Sequence, residues 1–246
     1  MTIWAIADLH LSFGVPKKTM EVFGEDWVNH TEKLKSNWVD LVKPDDLVLI
    51  AGDISWATSL AEAKVDLDWI DALKGTKVMI KGNHDSWWSS LSKVQSILPP
   101  SIHLIQNNVF DWAEYSIGGA RLWDTEEYRF DSYINFRENP VLLSKEKKIN
   151  QEKIFERELV RLELSLKALN PRALKRLVMT HYPPISTELL PSRSTALLEK
   201  YHVDVCVFGH LHSLKRELPL FGLYNGIEYH LTSSDYLSYK PLLISQ

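Results

Sequence analysis

The sequence is poor in cysteine: its 246 residues include only Cys206, which lies in the apolar stretch VDVCVF. A single cysteine excludes an intramolecular disulfide, so no disulfide framework defines this fold. A catalytic thiol needs a neighbour that favours the thiolate, and the residues flanking Cys206 do not provide one. We therefore expect Cys206 to be a small, buried core residue.

Long apolar runs and long basic runs are also missing. No apolar stretch approaches the roughly 20 residues of a transmembrane helix, and the N-terminal stretch MTIWAIADLHLSF lacks the basic start of a signal peptide. We therefore expect a cytoplasmic protein without a membrane span. The formal net charge of −4 and the lack of basic tracts disfavour nucleic acid as a partner.

Short apolar runs alternate with amphipathic ones along much of the chain. This alternation favours an α/β fold with parallel strands and right-handed crossovers. The predicted strands cover residues 2–8, 46–53, 76–82, 174–181 and 203–210, and the predicted helices cover 26–42, 59–73, 88–97, 146–169 and 194–200.

Two other segments lack this alternation of apolar and amphipathic runs. Residues 102–124 have the pattern of short strands joined by Asn-Asn and Gly-Gly turns, which predicts a meander. The tail, 213–243, reads as β segments with glycine-bearing turns. Because no repeat, low-complexity linker or clear boundary is visible, we predict one domain over residues 1–246.

Each of the five predicted strands ends in residue types that bind metal ions. The carboxyl ends of parallel strands meet at one edge of a sheet, which is where sites form in such folds. Taken alone, each residue has a structural explanation, such as a capping aspartate or a hydrogen-bonded core histidine. The ordered set is far more specific than any member. The strand ends carry Asp8-x-His10, Gly52-Asp53, Gly82-Asn83-His84-Asp85, His181 and Gly209-His210-x-His212.

The side chains at these strand ends offer oxygen and imidazole nitrogen donors without a thiolate. This mixture suits Mn, Fe or Zn ions, and it contains too many donors for one tetrahedral zinc. Two ions roughly 3.5–4 Å apart need a bridging carboxylate, and they activate a bridging water or hydroxide for attack on a phosphoryl group. The sequence therefore predicts two divalent or trivalent transition-metal ions.

With DxH, GD, GNHD, H and GHxH in this order, the sequence resembles the calcineurin-like metallophosphoesterase superfamily. The resemblance implies a four-layer α-β-β-α sandwich with two mixed sheets, and metal-dependent hydrolysis of a phosphate ester. It implies that His84 is not a ligand but stabilises developing charge and protonates the leaving oxygen, with Asp85 bonding its other ring nitrogen. The resemblance assigns Asp8, His10 and His212 to one ion, Asn83, His181 and His210 to the other, and Asp53 to both.

Candidate substrate contacts come from two further regions. Trp56 and Trp87 are close in sequence to the metal-binding motifs and suit a substrate wall. The alternative is that they pack on the sheet, which we expect of at least one of Trp87 and Trp88. Residues 123–145 suit a cap, with Arg129 and Arg137 holding phosphate under aromatic cover. The alternative for this segment is a surface loop that packs on the long helix.

The predicted partner is a phosphorylated small molecule, either a monoester or a diester. One alternative is the lipid A pathway enzyme that cleaves UDP-2,3-diacylglucosamine, a pyrophosphatase with a similar length and a similar ADLHL start. That family usually carries arginine where this chain has His84. A nuclease is disfavoured by the lack of basic tracts. A protein-binding scaffold with a vestigial metal site is the non-enzyme alternative, and the filled ligand positions disfavour it. The sequence leaves the substrate, the native metal and the oligomeric state open.

Overall fold

The computed structural model describes residues 1–134, 145–215 and 220–246, and of residues 145 and 146 it describes the backbone alone. Arg137, one of the predicted phosphate contacts, lies outside the described residues. The chain divides into two compact units. We call them unit 1 (Met1–Leu104 with Thr232–Gln246) and unit 2 (Ile105–Leu231).

Strands and α-helices alternate through most of the described chain. The strands are β1 (Ile3–Ile6), β2 (Leu47–Ile50), β3 (Thr76–Met79), β4 (Ile102–Leu104), β5 (Phe110–Trp112), β6 (Tyr115–Ala120), β7 (Lys175–Thr180), β8 (Val205–Phe208), β9 (Gly222–Tyr224), β10 (Ile227–Leu231) and β11 (Leu242–Ser245). The α-helices are α1 (His30–Leu41), α2 (Leu60–Asp71), α3 (Leu91–Gln95), α4 (Lys145–Lys167) and α5 (Arg193–Lys200). Short 3₁₀ helices span Met20–Phe23, Glu25–Trp27 and Asp131–Tyr133.

Unit 1 is built on a five-stranded mixed sheet in the order β11-β1-β2-β3-β4. Strands β1 to β4 run parallel, with Ile3 opposite Leu47 and Leu47 opposite Thr76, and β11 joins β1 antiparallel. Parallel neighbours end at the same edge of a sheet. The loops that follow β1, β2 and β3 therefore begin side by side.

The helices of unit 1 pack as their sequence period predicts. Helix α1 buries Trp38, and α2 buries Leu67 and Ile70, so each presents an apolar face to the common core. Helix α2 begins with a capping box, in which Ser59 accepts from the Glu62 amide and the Glu62 carboxylate accepts from the Ser59 amide. This cap starts α2 shortly after the loop that follows β2.

Unit 2 contains a six-stranded mixed sheet in the order β5-β6-β7-β8-β10-β9. The four central strands run parallel, and β5 and β9 pair antiparallel at the edges. Helix α4 contacts β6 and α5, and it buries Phe155, Leu162 and Leu166, whose spacing follows the helical period. Cys206 in β8 is fully buried, as predicted, and burial raises the pKa of its thiol to about 12.

The predicted α/β class with two mixed sheets is confirmed. The predicted strands and helices outside residues 102–124 are present, with ends that differ from the prediction by a few residues. Among the described residues, no helix is both long and apolar enough to cross a membrane.

The prediction of a meander over residues 102–124 is wrong. Strand β4 pairs in parallel with β3 in unit 1, whereas β5 and β6 form a hairpin in unit 2. The Gly118-Gly119 pair lies inside β6, where a Cβ on Gly119 would come within 2.3 Å of the Met179 carbonyl oxygen. Gly119 serves the close approach of β6 and β7, whereas a Cβ on Gly118 would lie 3.0 Å from the Ser165 hydroxyl oxygen of α4. Neither glycine forms a turn, and local turn preferences do not reveal such packing requirements.

Candidate functional site

Hydrogen bonds hold together the loops that follow β1, β2 and β3 in unit 1. The amide of Asp8 donates to the Gly52 carbonyl, and the amide of His10 donates to the Asp53 carbonyl, both at 3.0 Å. The amide of His84 donates to Oδ1 of Asp53 at 2.8 Å. Three predicted site residues from three different loops are thus tied to one another within unit 1.

Several of these residues have strained backbones. Asp8, His10 and Asp53 have φ angles of 58°, 45° and 51°, in the left-handed region that residues with a Cβ rarely adopt. Such strain is concentrated at functional sites, where the surrounding structure enforces it. At Gly82, an added Cβ would lie 2.0 Å from Oδ1 of Asp53, so this position admits only glycine without a rearrangement.

The side chains of Asp8, His10 and Asp53 form a buried donor group, with exposures of 0%, 2% and 1%. Oδ2 of Asp53 lies 3.8 Å from Nε2 of His10. An oxygen of the Asp8 carboxylate lies within 4.8 Å of a His10 ring nitrogen, and an Asp8 oxygen also lies within 4.8 Å of an Asp53 oxygen. Two ligands that each lie 2.0–2.2 Å from one ion are at most about 4.4 Å apart, so the His10–Asp53 distance fits a shared ion. Burying the carboxylates of Asp8 and Asp53 this close together costs free energy unless a cation lies between them. This cost, like the His10–Asp53 distance, indicates that the group fits a metal ion.

His84 lies beside this donor group and remains partly open to solvent. Its side chain is 43% exposed, and its Nε2 is 4.0 Å from Oδ2 of Asp53. The Trp56 ring packs 4.4 Å from the His84 ring and stacks on the His10 ring at 5.2 Å, between centroids. The indole N–H of Trp56 donates to Sδ of Met20 at 3.0 Å, which holds the ring in this position. Trp56 therefore contacts two predicted site histidines in unit 1.

Asn83, the predicted ligand that precedes His84, is half-buried on the same turn.

Asp85 has a structural task that the sequence did not predict. Its Oδ1 accepts from the amides of Ile54 and Ser55 at 2.9 and 3.1 Å, and from the Trp87 indole N–H at 3.1 Å. Its Oδ2 accepts from the Gly82 amide at 2.8 Å. This buried carboxylate thereby joins the loop after β2 to the turn after β3, and its predicted bond to the His84 ring stays a prediction.

Trp87 and Trp88 both belong to the unit 1 core, with exposures of 2% and 1%. Trp87 also uses its indole N–H on Asp85. A ring this buried has no face open to a ligand. This burial agrees with the expectation that at least one of Trp87 and Trp88 packs in the core, and the substrate-wall role of Trp87 stays a prediction without an exposed ring face to support it.

Asp66 is a buried carboxylate that the sequence patterns did not single out, and it binds the loops that follow β1 and β2. It is fully buried on α2, accepts from the Phe13 amide at 2.8 Å, and accepts a short hydrogen bond from the Ser55 hydroxyl. Burial raises the pKa of its carboxyl. The available signal was a carboxylate on the apolar face of α2, between Ala63 and Leu67, which a purely amphipathic helix would not place there.

Unit 2 contributes three more predicted ligands, all after β7 and β8. His181 is fully buried, whereas His210 and His212 are half-buried. The ring centroids of His181 and His210 are 5.2 Å apart, and the Gly209 amide donates to the His181 carbonyl at 3.1 Å. His210 has a φ of 73°. Two imidazoles from two different loops of unit 2 are thus brought together, and the backbone of His210 is strained.

A cavity of about 490 Å³, which we call the unit 2 pocket, lies beside His210. Its walls come from residues 123–134, from α4, and from the residues next to His181 and His210. Arg129, the described member of the predicted phosphate contacts, lines it. The size lies within the range of small-molecule sites.

Comparison with known proteins identifies relatives of this architecture. A family model described as calcineurin-like phosphoesterase matches residues 1–214, a range that includes every predicted metal-binding motif. The fold is similar to the crystal structure of a phosphopantetheinyl hydrolase from Mycobacterium tuberculosis, with a TM-score of 0.60 and 17% identity over 99% of this chain and 95% of that chain. It is also similar to the protein TT1561 of Thermus thermophilus, with a TM-score of 0.52 and 10% identity over 99% and 97%. No curated protein sequence matches. At these identities the structural likeness establishes the fold alone.

Proposed function

Because the chain belongs to the calcineurin-like phosphoesterase family, we propose that it hydrolyses a phosphate ester of a small molecule with two transition-metal ions. The observation that carries this proposal is the buried Asp53 carboxylate, which lies 3.8 Å from Nε2 of His10 and 4.0 Å from Nε2 of the half-exposed His84. A carboxylate that can bridge two metal ions, next to a solvent-accessible acid, suits the two-metal route of phosphoester hydrolysis.

The proposed ligands follow from the order of the motifs. Asp53 would serve both ions, because a carboxylate has two oxygens and can bridge. The donor set is made of carboxylates, imidazoles and one amide, which suits Mn, Fe or Zn. The other ligands would be Asp8, His10 and His212 for one ion, and Asn83, His181 and His210 for the other.

When bound, such a pair of ions activates water as the nucleophile and neutralises charge on the phosphoryl oxygens. His84 then has two tasks. Its ring donates a hydrogen bond to the phosphoryl group as negative charge develops, and it gives a proton to the leaving oxygen as the phosphorus–oxygen bond breaks. The hydrogen bond from its amide to Asp53 holds its backbone beside the bridging carboxylate. Trp56 covers one side of the His84 ring and limits its rotation.

Asp85 supports His84 through the backbone. By accepting from the amides of Ile54, Ser55 and Gly82, it holds the loop that carries Asp53 against the turn that carries His84. A displacement of about 1 Å in such a constellation can cost about 100-fold in rate.

Three further expectations from the sequence stay predictions: the cap over residues 123–145, the single domain over residues 1–246 and the cytoplasmic location.

The experiment is a screen of phosphomonoesters, phosphodiesters and nucleotides with Mn²⁺, with the metal content of the purified protein measured in parallel. The name of the Mycobacterium tuberculosis relative adds a phosphopantetheinyl ester to the screen. We expect two ions per chain and turnover of at least one class, abolished by a chelator. A protein that binds no transition metal and hydrolyses none of these esters would instead be a scaffold, and the proposal would fail.

A further inference from the structure

The unit 2 pocket has aromatic walls that are already locked in place. The Trp123 ring contacts the guanidinium of Arg121 at 4.5 Å and the Tyr182 ring at 5.0 Å. The hydroxyl of Tyr128 donates to a backbone carbonyl at 2.7 Å, and Phe130 packs edge-on against Tyr128 at 5.5 Å. Rings that are held before binding lose little entropy when a ligand stacks on them.

The segment that carries these rings is fastened at several points. Glu127 accepts two hydrogen bonds from Arg193, one of them from the backbone amide at 2.9 Å, and Arg193 also pairs with Glu152 of α4 at 2.7 Å. Further along, the Tyr133 hydroxyl donates to Glu188 at 2.5 Å. Residues 123–134 therefore form a fixed wall in unit 2.

The charges of the pocket restrict what it can hold. Among the described lining residues, three carboxylates (Asp124, Glu126 and Asp131) face two cations (Arg129 and Lys148), and Lys148 pairs with Glu126 at 2.6 Å. This balance is unfavourable for a second phosphate group. The balance suits a neutral group that carries both kinds of polar atom. Its acceptor atoms would bind Arg129, and its donor atoms would bind Asp124.

The position of the pocket connects it with the reaction. His210 is part of its lining, and the Tyr182 ring packs 4.0 Å from the His210 ring. A substrate whose phosphoryl group is bound at His210 therefore extends its organic group along Tyr182 into the pocket. This step rests on the proposed function, because it takes His210 as a metal ligand.

We propose that the unit 2 pocket binds a planar heteroaromatic group of the phosphoester substrate, of the kind represented by the base of a nucleoside monophosphate. The ring stacks against Phe130, and its polar edge meets Arg129 and Asp124. The pocket thereby makes the enzyme selective for the organic group rather than for a second phosphate.

The test compares adenosine 5′-phosphate with ribose 5-phosphate, which differ only in the base; for a diesterase, the methyl esters of the two are used. We expect kcat/KM to be about 10-fold or more higher for the adenosine substrate, as stacking energies per base imply. Phe130→Ala and Arg129→Ala each bring this ratio close to one. The matched controls Phe110→Ala, on β5, and Arg172→Ala, on an exposed turn, keep the wild-type ratio.

Binding of adenosine, which carries no phosphate, gives a second readout by calorimetry. We expect saturable binding that Phe130→Ala weakens and Phe110→Ala does not, with circular dichroism confirming that each variant is folded. An equal kcat/KM for both substrates, or equal adenosine binding by the Phe130→Ala variant, overturns the pocket assignment while leaving the phosphoesterase intact. Adenosine binding that depends on Phe130, without turnover of any phosphoester, supports the pocket and overturns the proposed function.

Discussion

The amide of His84 donates a hydrogen bond of 2.8 Å to Oδ1 of Asp53, a residue 31 positions earlier in the chain. The proposed bridging carboxylate therefore binds the backbone of the proposed acid directly. This contact links the residue proposed to bridge the metal ions with the residue proposed to donate the proton, and the two proposed roles can be measured separately.

Replacing His84 by alanine removes both proposed tasks of its ring, charge stabilisation and proton donation, while keeping its backbone. The amide at position 84 still donates to Asp53, so we expect the Mn²⁺ content to stay at the wild-type level while kcat falls by about 10²–10⁴. Metal content is measured by mass spectrometry and kcat by phosphate release. His230→Ala, which removes a histidine on β10 that pairs with Glu228, serves as the control. Wild-type turnover by His84→Ala would remove the residue from the mechanism.

Replacing Asp53 by asparagine tests the bridge. The amide keeps one oxygen but loses the negative charge that two cations need, so we expect Mn²⁺ affinity to fall by at least about 100-fold, together with activity. Titration calorimetry with Mn²⁺ measures the affinity. Asp68→Asn, at an exposed position of α2 where the carboxylate pairs with Lys64, should leave the affinity unchanged. Full metal occupancy and full turnover in the Asp53→Asn variant would contradict the proposed mechanism.

Replacing Asp85 by asparagine tests the link between the two loops. The side-chain NH₂ group of asparagine would then replace one of the two accepting oxygens and face a backbone N–H. Because two donors cannot bond to each other, we expect the free energy of unfolding to fall by about 2 kcal/mol. Urea unfolding of the metal-free protein measures this loss, and Asp40→Asn on the exposed side of α1 is the control. Unfolding curves that superimpose on those of the wild type would show that the loops are held by other contacts.

Asp66 gives a pH dependence whose sign is fixed by burial, which raises the pKa of its carboxyl above the ordinary value of 3.8. The folded state then holds the proton more tightly than the unfolded state. The contribution of Asp66 to stability is therefore complete below pH 3.8 and declines as the pH rises through the raised pKa.

Asp66→Asn removes this titration. We expect the free energy of unfolding of the wild type, minus that of Asp66→Asn, to fall as the pH is raised from about 4 to 7. Both proteins are measured by urea unfolding with a chelator present, so that metal binding does not contribute. A difference that is constant or rises with pH would show that the hydrogen bonds from Phe13 and Ser55 outweigh burial.

Much of the architecture is readable from local patterns in the sequence. Apolar runs and helical spacing depend on neighbouring residues, so they predicted the strands that precede Asp8, Asp53 and Asn83, as well as α2 and α4. The placement of ligand types at the ends of parallel strands also follows from topology alone, because such strands share a carboxyl edge. For the same reason, the family was recognisable from the order of its motifs.

Tertiary packing decided which of these residues meet and which are covered. The bonds of Asp85 to Ile54 and Ser55 join positions 31 and 30 residues apart, and no local period encodes such a pairing. Trp56 and Trp87 follow similar glycine-bearing motifs, yet one packs on His84 and the other is buried in the core. Hydrogen bonds and burial depend on distances between elements, whereas a sequence pattern describes only the face that each element offers to its neighbours.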